Sequence, residues 1–313
     1  MTSPSEAITE TPAAAPAALP RTRPFYWSVR RELWETRSVY VAPAVVAAVV
    51  LLGFLISAIG MPHRRLATLA LPPDRQAALI GLPYDVGAVA LIGNMMIVGL
   101  FYCLAALHGE RRDRTVLFWK ALPVSNLTTV LAKAAIPFLI LPAVTFVAVL
   151  ATQALIYLLS SAMLLTAGVS AATPWSVAAV LGGLVVLAYG LVTMTLWLAP
   201  LYGWVLMVSA WAKRAPFLWA VLPPLGIGLF EHMAFDRGYV SSLLLGRLTG
   251  GFEVAFVVPT KASLKASGGI PQIGLDQLDP GKFIATPGVW IGLVVAAAFI
   301  AACVWLRRRS EPI

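Results

Sequence analysis

Residues 134–212 read AAIPFLILPAVTFVAVLATQALIYLLSSAMLLTAGVSAATPWSVAAVLGGLVVLAYGLVTMTLWLAPLYGWVLMVSAWA, which is 79 consecutive residues without Asp, Glu, Lys or Arg. As a single helix this stretch would run about 120 Å, against a bilayer hydrocarbon core of about 30 Å. It must therefore fold back on itself. The break falls at TAGVSAATPWS, residues 166–176, where small and turn-forming residues cluster. Segments 38–62, 86–109, 215–230 and 283–306 are charge-free in the same way. The whole chain is 59% hydrophobic and 12% charged, with a mean hydropathy of +0.84. Soluble domains carry about 25% charged residues. The composition is that of a membrane protein.

These runs predict an all-α integral membrane protein with six spans, at about 40–60, 86–107, 131–159, 176–208, 216–235 and 287–306. Pro200 and Gly203 are expected to kink the long fourth span, and the pair Pro223–Pro224 to interrupt the fifth. Placing the N-terminus inside puts fifteen of the 23 Lys and Arg residues on cytoplasmic segments and eight outside. This bias favours cytoplasmic N- and C-termini. It also accounts for the net charge of +9 as a topology signal. A nucleic-acid partner is not indicated, because no soluble basic face exists. Cys103 and Cys303 fall near the cytoplasmic ends of their spans and read as small packing residues. The division is a flexible tail at 1–23, an interfacial helix at 24–37, a membrane domain at 38–306 and a basic tail at 307–313.

Three elements are expected on the cytoplasmic side. In PFYWSVRRELWETR, 24–37, Phe25, Tyr26, Val29 and Leu33 share an arc with Trp27 and Trp34 at its edge. Ser28, Arg31, Glu32 and Glu35 lie opposite. This is an amphipathic helix at headgroup depth, with Trp27, Arg30, Arg31 and Trp34 as its contacts to membrane lipids or to a cytoplasmic partner. The second element is HGERRDRTVLFWKALPVS, 108–125. Five charges (Glu110, Arg111, Arg112, Asp113, Arg114) precede Thr115, Phe118, Trp119 and Leu122, which share one helical face. Anionic headgroups would explain the arginines but not the interleaved acids; a protein partner explains both signs. The third is SAWAKRAPFLWAVLPP, 209–224, where Lys213 and Arg214 mark a tight turn.

ERRDRTVLFWKALPVS, a third span, SAWAKRAPFLWAVLPP and a late Glu-His together resemble the membrane subunits of ABC-type exporters of the type-2 class (the type V exporter fold). The resemblance covers roughly residues 25–306. It implies that the short helix between spans two and three is a coupling helix that docks into an ATPase subunit. It also implies two permease chains, the same or sister chains, working with two ATPases in a bacterial inner (cytoplasmic) membrane. The chain itself would be no enzyme. It has no GxxxxGK[ST] run, so ATP and magnesium belong to the partner, and no metal site is expected.

Toward the outside, Glu231 and His232 close the fifth span. Glu231 is a candidate gate or substrate-facing acid, and Asn94 in span two is a weaker one. Segment 236–286 is too apolar for a free loop. VSSLLLG (240–246) and FEVAFVV (252–258) are expected to form short or re-entrant helices that cap the outer mouth, with Leu244 and Phe256 packed inside. The alternatives are a proton-coupled secondary transporter, which would show repeats and several membrane acids, and an intramembrane hydrolase built on Glu231 and His232.

Overall fold

The computed structural model describes residues 22–59, 71–109, 125–166, 177–235, 238–257 and 274–309. The chain is helical almost throughout: α1 (Thr22–Glu35), α2 (Ser38–Ala58), α3 (Pro73–Ala106), α4 (Asn126–Ala135), a π-helical turn (Ile136–Ile140), α5 (Leu141–Thr166), α6 (Val177–Trp211), α7 (Pro216–Phe235), α8 (Tyr239–Thr249), α9 (Gly251–Ala255), α10 (Pro280–Ala285) and α11 (Pro287–Arg309). Among the described residues β-pairing is limited to one isolated antiparallel bridge, Phe256–Leu278.

Among the described residues six helices are long and apolar enough to cross a membrane: Ser38–Ala58, Leu79–Ala106, Asn126–Leu165, Val180–Trp211, Pro216–Phe235 and Pro287–Arg309. They fall where the charge-free runs predict them. The third is a single crossing made of α4, the π turn and α5. Pro137 lies inside that turn, and lacking an N–H it favours a locally widened register.

α6 is the central element, packed against α3, α5, α7 and most extensively α11. Its partnership with α11 is close because Gly203 faces the backbone of Ala296; a Cβ at 203 would sit 3.2 Å from the Ala296 Cα. Small residues let helices approach where lipid offers no hydrophobic contrast. The main core joins Val39, Leu91, Met95, Tyr102, Ile136, Leu198, Tyr202 and Leu206. By contrast α7 is buried mainly at Ala220 and Gly228 and presents an apolar surface along most of its length.

Several boundaries differ from the expectations. α3 starts at Pro73, well before 86, because a helix does not end where charge begins; it carries Asp85 within it. Pro223 and Pro224 lie inside α7 without interrupting it, and Pro200 lies inside α6. The α6–α7 turn is tight, as expected: α7 begins at Pro216, five residues after Trp211, and Ala215 adopts a left-handed φ of 47°.

Helix α1 is turned differently from its expected orientation. Val29 and Leu33 pack on the core, but Glu32, assigned to the polar side, is only 3% exposed. Tyr26, Trp27 and Trp34 face outward. The helical wheel grouped Glu32 with Ser28 and Glu35 by polarity; a distant basic partner turns it inward.

Candidate functional site

The expected docking helix, with Glu110, Arg111, Arg112, Asp113, Arg114, Phe118 and Trp119, lies at 110–124, outside the described residues. Its two flanks are described, and both are anchored by buried polar contacts.

On the leading flank, α3 ends at Ala106 and Ser209 of α6 receives the chain. The Ser209 hydroxyl donates to the Leu104 carbonyl at 2.8 Å and accepts from the Leu107 and His108 amides at 3.1 and 2.9 Å. The His108 ring Nδ1 lies 3.1 Å from the Ala212 carbonyl. The exit of α3 is thus tied to the exit of α6, and terminal groups that a helix end leaves unpaired are satisfied.

The trailing flank starts at Ser125, whose side chain caps α4 by accepting from the Thr128 amide at 3.0 Å. Two turns on, Lys133 is 2% exposed, and its Nζ donates to Glu32 Oε1 at 2.9 Å. Tyr102 of α3 donates to Glu32 Oε2 at 3.1 Å. Arg31 adds a bond to Glu32 Oε1 at 2.9 Å and reaches Glu35 at 3.3 Å. Glu32 therefore joins α1, α3 and α4 in one knot. A buried carboxylate with a charged donor and further hydrogen bonds is tolerated where a lone one is not. Cys103 and Cys303 are buried free thiols beside this region.

The opposite end of the bundle carries a second small core of Trp197, Ala255, Phe256, Phe283 and Val289. Phe256 packs edge-on to Tyr189 and stacked with Phe252. Arg247 of α8 holds the layer down. Its guanidinium lies 4.3 Å from the centre of the Trp197 ring, donates to the Trp197 carbonyl at 3.3 Å and bonds the Gly288 carbonyl. Trp197 Nε1 returns a bond to the Gly246 carbonyl at 3.1 Å. Tyr189 and Lys282 donate to the carbonyls of Ala255 and Glu253 at 2.9 and 2.7 Å. Residues 238–257 are thus a packed helical layer over α6 and the start of α11, not an extended loop. Leu244 is partly exposed on it.

Glu231 has a local role. Its carboxylate accepts from the amides of Tyr239 and Val240 at 3.0 and 2.8 Å, capping α8 from the preceding helix. His232 is exposed, so the adjacent pair is not assembled into an acid–base site. Asn94 is partly buried, and its Nδ2 has no partner among the described residues. Of the interfacial residues, Trp27, Arg30 and Trp34 form one outward group, with Arg30 4.8–5.1 Å from both ring centres.

Pattern reading does not single out Lys133, Tyr102, Ser209 or Arg247. Lys133 carries the clearest signal, since it shares the helical face of Thr129, Val130 and Ile136, all core-facing. No protein-family model, curated protein or solved structure matches the chain.

Proposed function

We propose that the chain is the membrane subunit of an ATP-driven exporter of the ABC type-2 class, with both termini in the cytoplasm of a bacterial cell. A second permease chain would complete the path, and two separate ATPases would hold ATP and magnesium. The observation that carries this reading is the paired anchoring around 110–124. Ser209 and His108 fasten its leading flank to α6, and Lys133 fastens its trailing flank to α1 through Glu32. A handle pulled by a partner must be fixed at both ends, or its motion dissipates in the loop. Its mixed charges and aromatic face, Phe118 and Trp119 included, suit a protein cleft more than a lipid surface.

The layer at 238–257 fits an outer cap of the translocation path. The alternatives fit less well. A proton-coupled carrier usually shows several acids in the membrane; among the described residues the candidate spans hold Asp85 and Glu231, and Glu231 already serves two amides. A hydrolase on Glu231 and His232 lacks a free carboxylate, because Glu231 already serves two amides.

The deciding experiment replaces Arg111 and Arg114 with Glu and co-purifies the chain with the proposed ATPase partner. Reversing docked charges opposes like charges at an interface. Vanadate-sensitive transport and ATPase binding should fall at least tenfold while membrane insertion is unchanged. Undiminished binding and transport would remove the proposal.

A further inference from the structure

Two unpartnered side chains and one carbonyl without its helix donor come to one level between α2, α3 and α5. The level is found from Gly87 of α3. A Cβ there would stand 3.2 Å from Val50 Cγ1 of α2 and 3.9 Å from Thr152 Cγ2 of α5. To one side of this contact Phe54 and Ala58 of α2, Tyr84 of α3 and Ile156 of α5 form a cluster. The chain numbers rise in α2 and α5 and fall in α3, so α3 runs against the other two. Seven residues in the opposite direction are two turns, about 10 Å, and return each helix to nearly the same face. That step leads from Val50 to Pro43, from Gly87 to Asn94 and from Thr152 to Thr145. The register holds beyond this level, where Gly99 and Phe138 both meet Tyr202.

Each helix leaves a polar group open there. Pro43 lies inside α2, and it and Val39 are buried. A proline has no N–H to give to the carbonyl four residues back, here that of Val39. Thr145 is 0% exposed, and its hydroxyl has no partner among the described residues. The threonines Thr152, Thr193 and Thr195 behave differently: their hydroxyls donate to the carbonyl one turn back at 2.7–2.9 Å. The buried Asn94 Nδ2 also lacks a partner among the described residues. Leu91, Met95, Leu141 and Val149 close the surroundings with apolar groups. Open polar groups inside a membrane bundle are costly, and ordered water is one way in which those freed by a proline are satisfied. An amide donor, a carbonyl acceptor and a hydroxyl that acts as either are what one water needs, since a buried water makes about three hydrogen bonds. We infer that α2, α3 and α5 enclose an internal water site held by the Asn94 side-chain amide, the Thr145 hydroxyl and the Val39 carbonyl. A cation suits it less, because Asn94 presents N–H. The site does not depend on an ATPase partner. On the transporter reading it gives α3, which leads into 110–124, a seam whose bonds can be remade as the helix shifts.

X-ray footprinting of the full chain in nanodiscs tests the site, because hydroxyl radicals formed from bound water oxidise the side chains beside it. The reporter is Met95, next to Asn94 and 1% exposed. Met95 should be oxidised in the wild-type chain. Its labelling should be lost in the double variant Asn94→Leu, Thr145→Val and retained in Thr145→Ser. Asn94→Leu and Thr145→Val should each lower the melting temperature, and the double variant should melt no lower than the weaker single one, because a shared partner is lost once. An unlabelled Met95 in the wild type, or labelling unchanged in the double variant, would overturn the assignment. Melting losses that simply add would overturn it too, since the two side chains would then share no water. Coupled losses with Met95 unlabelled would replace the site by a dry Asn94–Thr145 bond.

Discussion

Lys133 and Glu32 lie 101 residues apart in sequence and 2.9 Å apart in space, with both side chains shut off from solvent. Such a pair contributes little net stability relative to a well-packed apolar substitute, but breaking it strands a charge and costs about 3–5 kcal/mol. Lys133→Met should lower stability by about 3 kcal/mol, the lower bound because Arg31 still reaches Glu32. The double variant Glu32→Gln, Lys133→Met should recover most of that loss. Thermal unfolding in detergent checks both; a double variant as unstable as the single would show that the knot matters for more than charge pairing.

Glu231 was a candidate gate residue, and the geometry makes it a cap. Removing its carboxylate in Glu231→Ala should cost about 1–2 kcal/mol and release the first turn of α8. Glu231→Gln keeps one acceptor and loses the charge, a smaller cost of about 0.5–1 kcal/mol. Exchange of the Tyr239 and Val240 amides measures both. A large loss of transport with those amides still protected would return Glu231 to the path.

The proposed inside placement of both termini rests on the charge bias, and it can be read chemically. Cys103 and Cys303 are buried, so new cysteines dominate surface labelling. Cysteines at Thr2 and Glu311 should be shielded from an impermeant thiol reagent in intact cells, and cysteines at Gln76 and Gln272 should react. Labelling of either terminus from outside would reverse the topology.

The six candidate spans were legible because burial in lipid removes charge from long runs, a signal that needs no knowledge of neighbours. The sites were less legible, since each depends on a contact distant in sequence. Glu32 looks like Glu35 on a helical wheel; what separates them is Lys133. Ser209 looks like any small residue near a span end until the α3 terminus arrives beside it. The extra turns of α3 before residue 86 were hidden because Asp85 reads as a boundary, whereas helices continue past membrane edges. Segment 236–286 reads as too apolar to be free, and its described part at 238–257 is helical and packed on α6. Its clasp, Arg247, had registered merely as one positive charge on the outer side.

Arg247 offers the sharpest test of that outer layer. Three contacts of two kinds converge on it: a face-on contact with the Trp197 ring and donations to two carbonyls, of Trp197 and Gly288. Gly292 leaves room for it, as a Cβ there would stand 2.9 Å from the guanidinium nitrogens. Lysine keeps the charge but cannot direct a rigid fork at two acceptors while lying flat on a ring. Arg247→Lys should therefore loosen the layer by about 1–3 kcal/mol, from one lost charged hydrogen bond and the weakened stacking. Gly292→Ala should act the same way by crowding the guanidinium from the other side. In both variants limited proteolysis should cut faster within 238–257, while the Glu32–Lys133 end keeps its wild-type exchange rates. Unchanged cleavage in Arg247→Lys would show that the second apolar core around Phe256 holds the cap without its clasp.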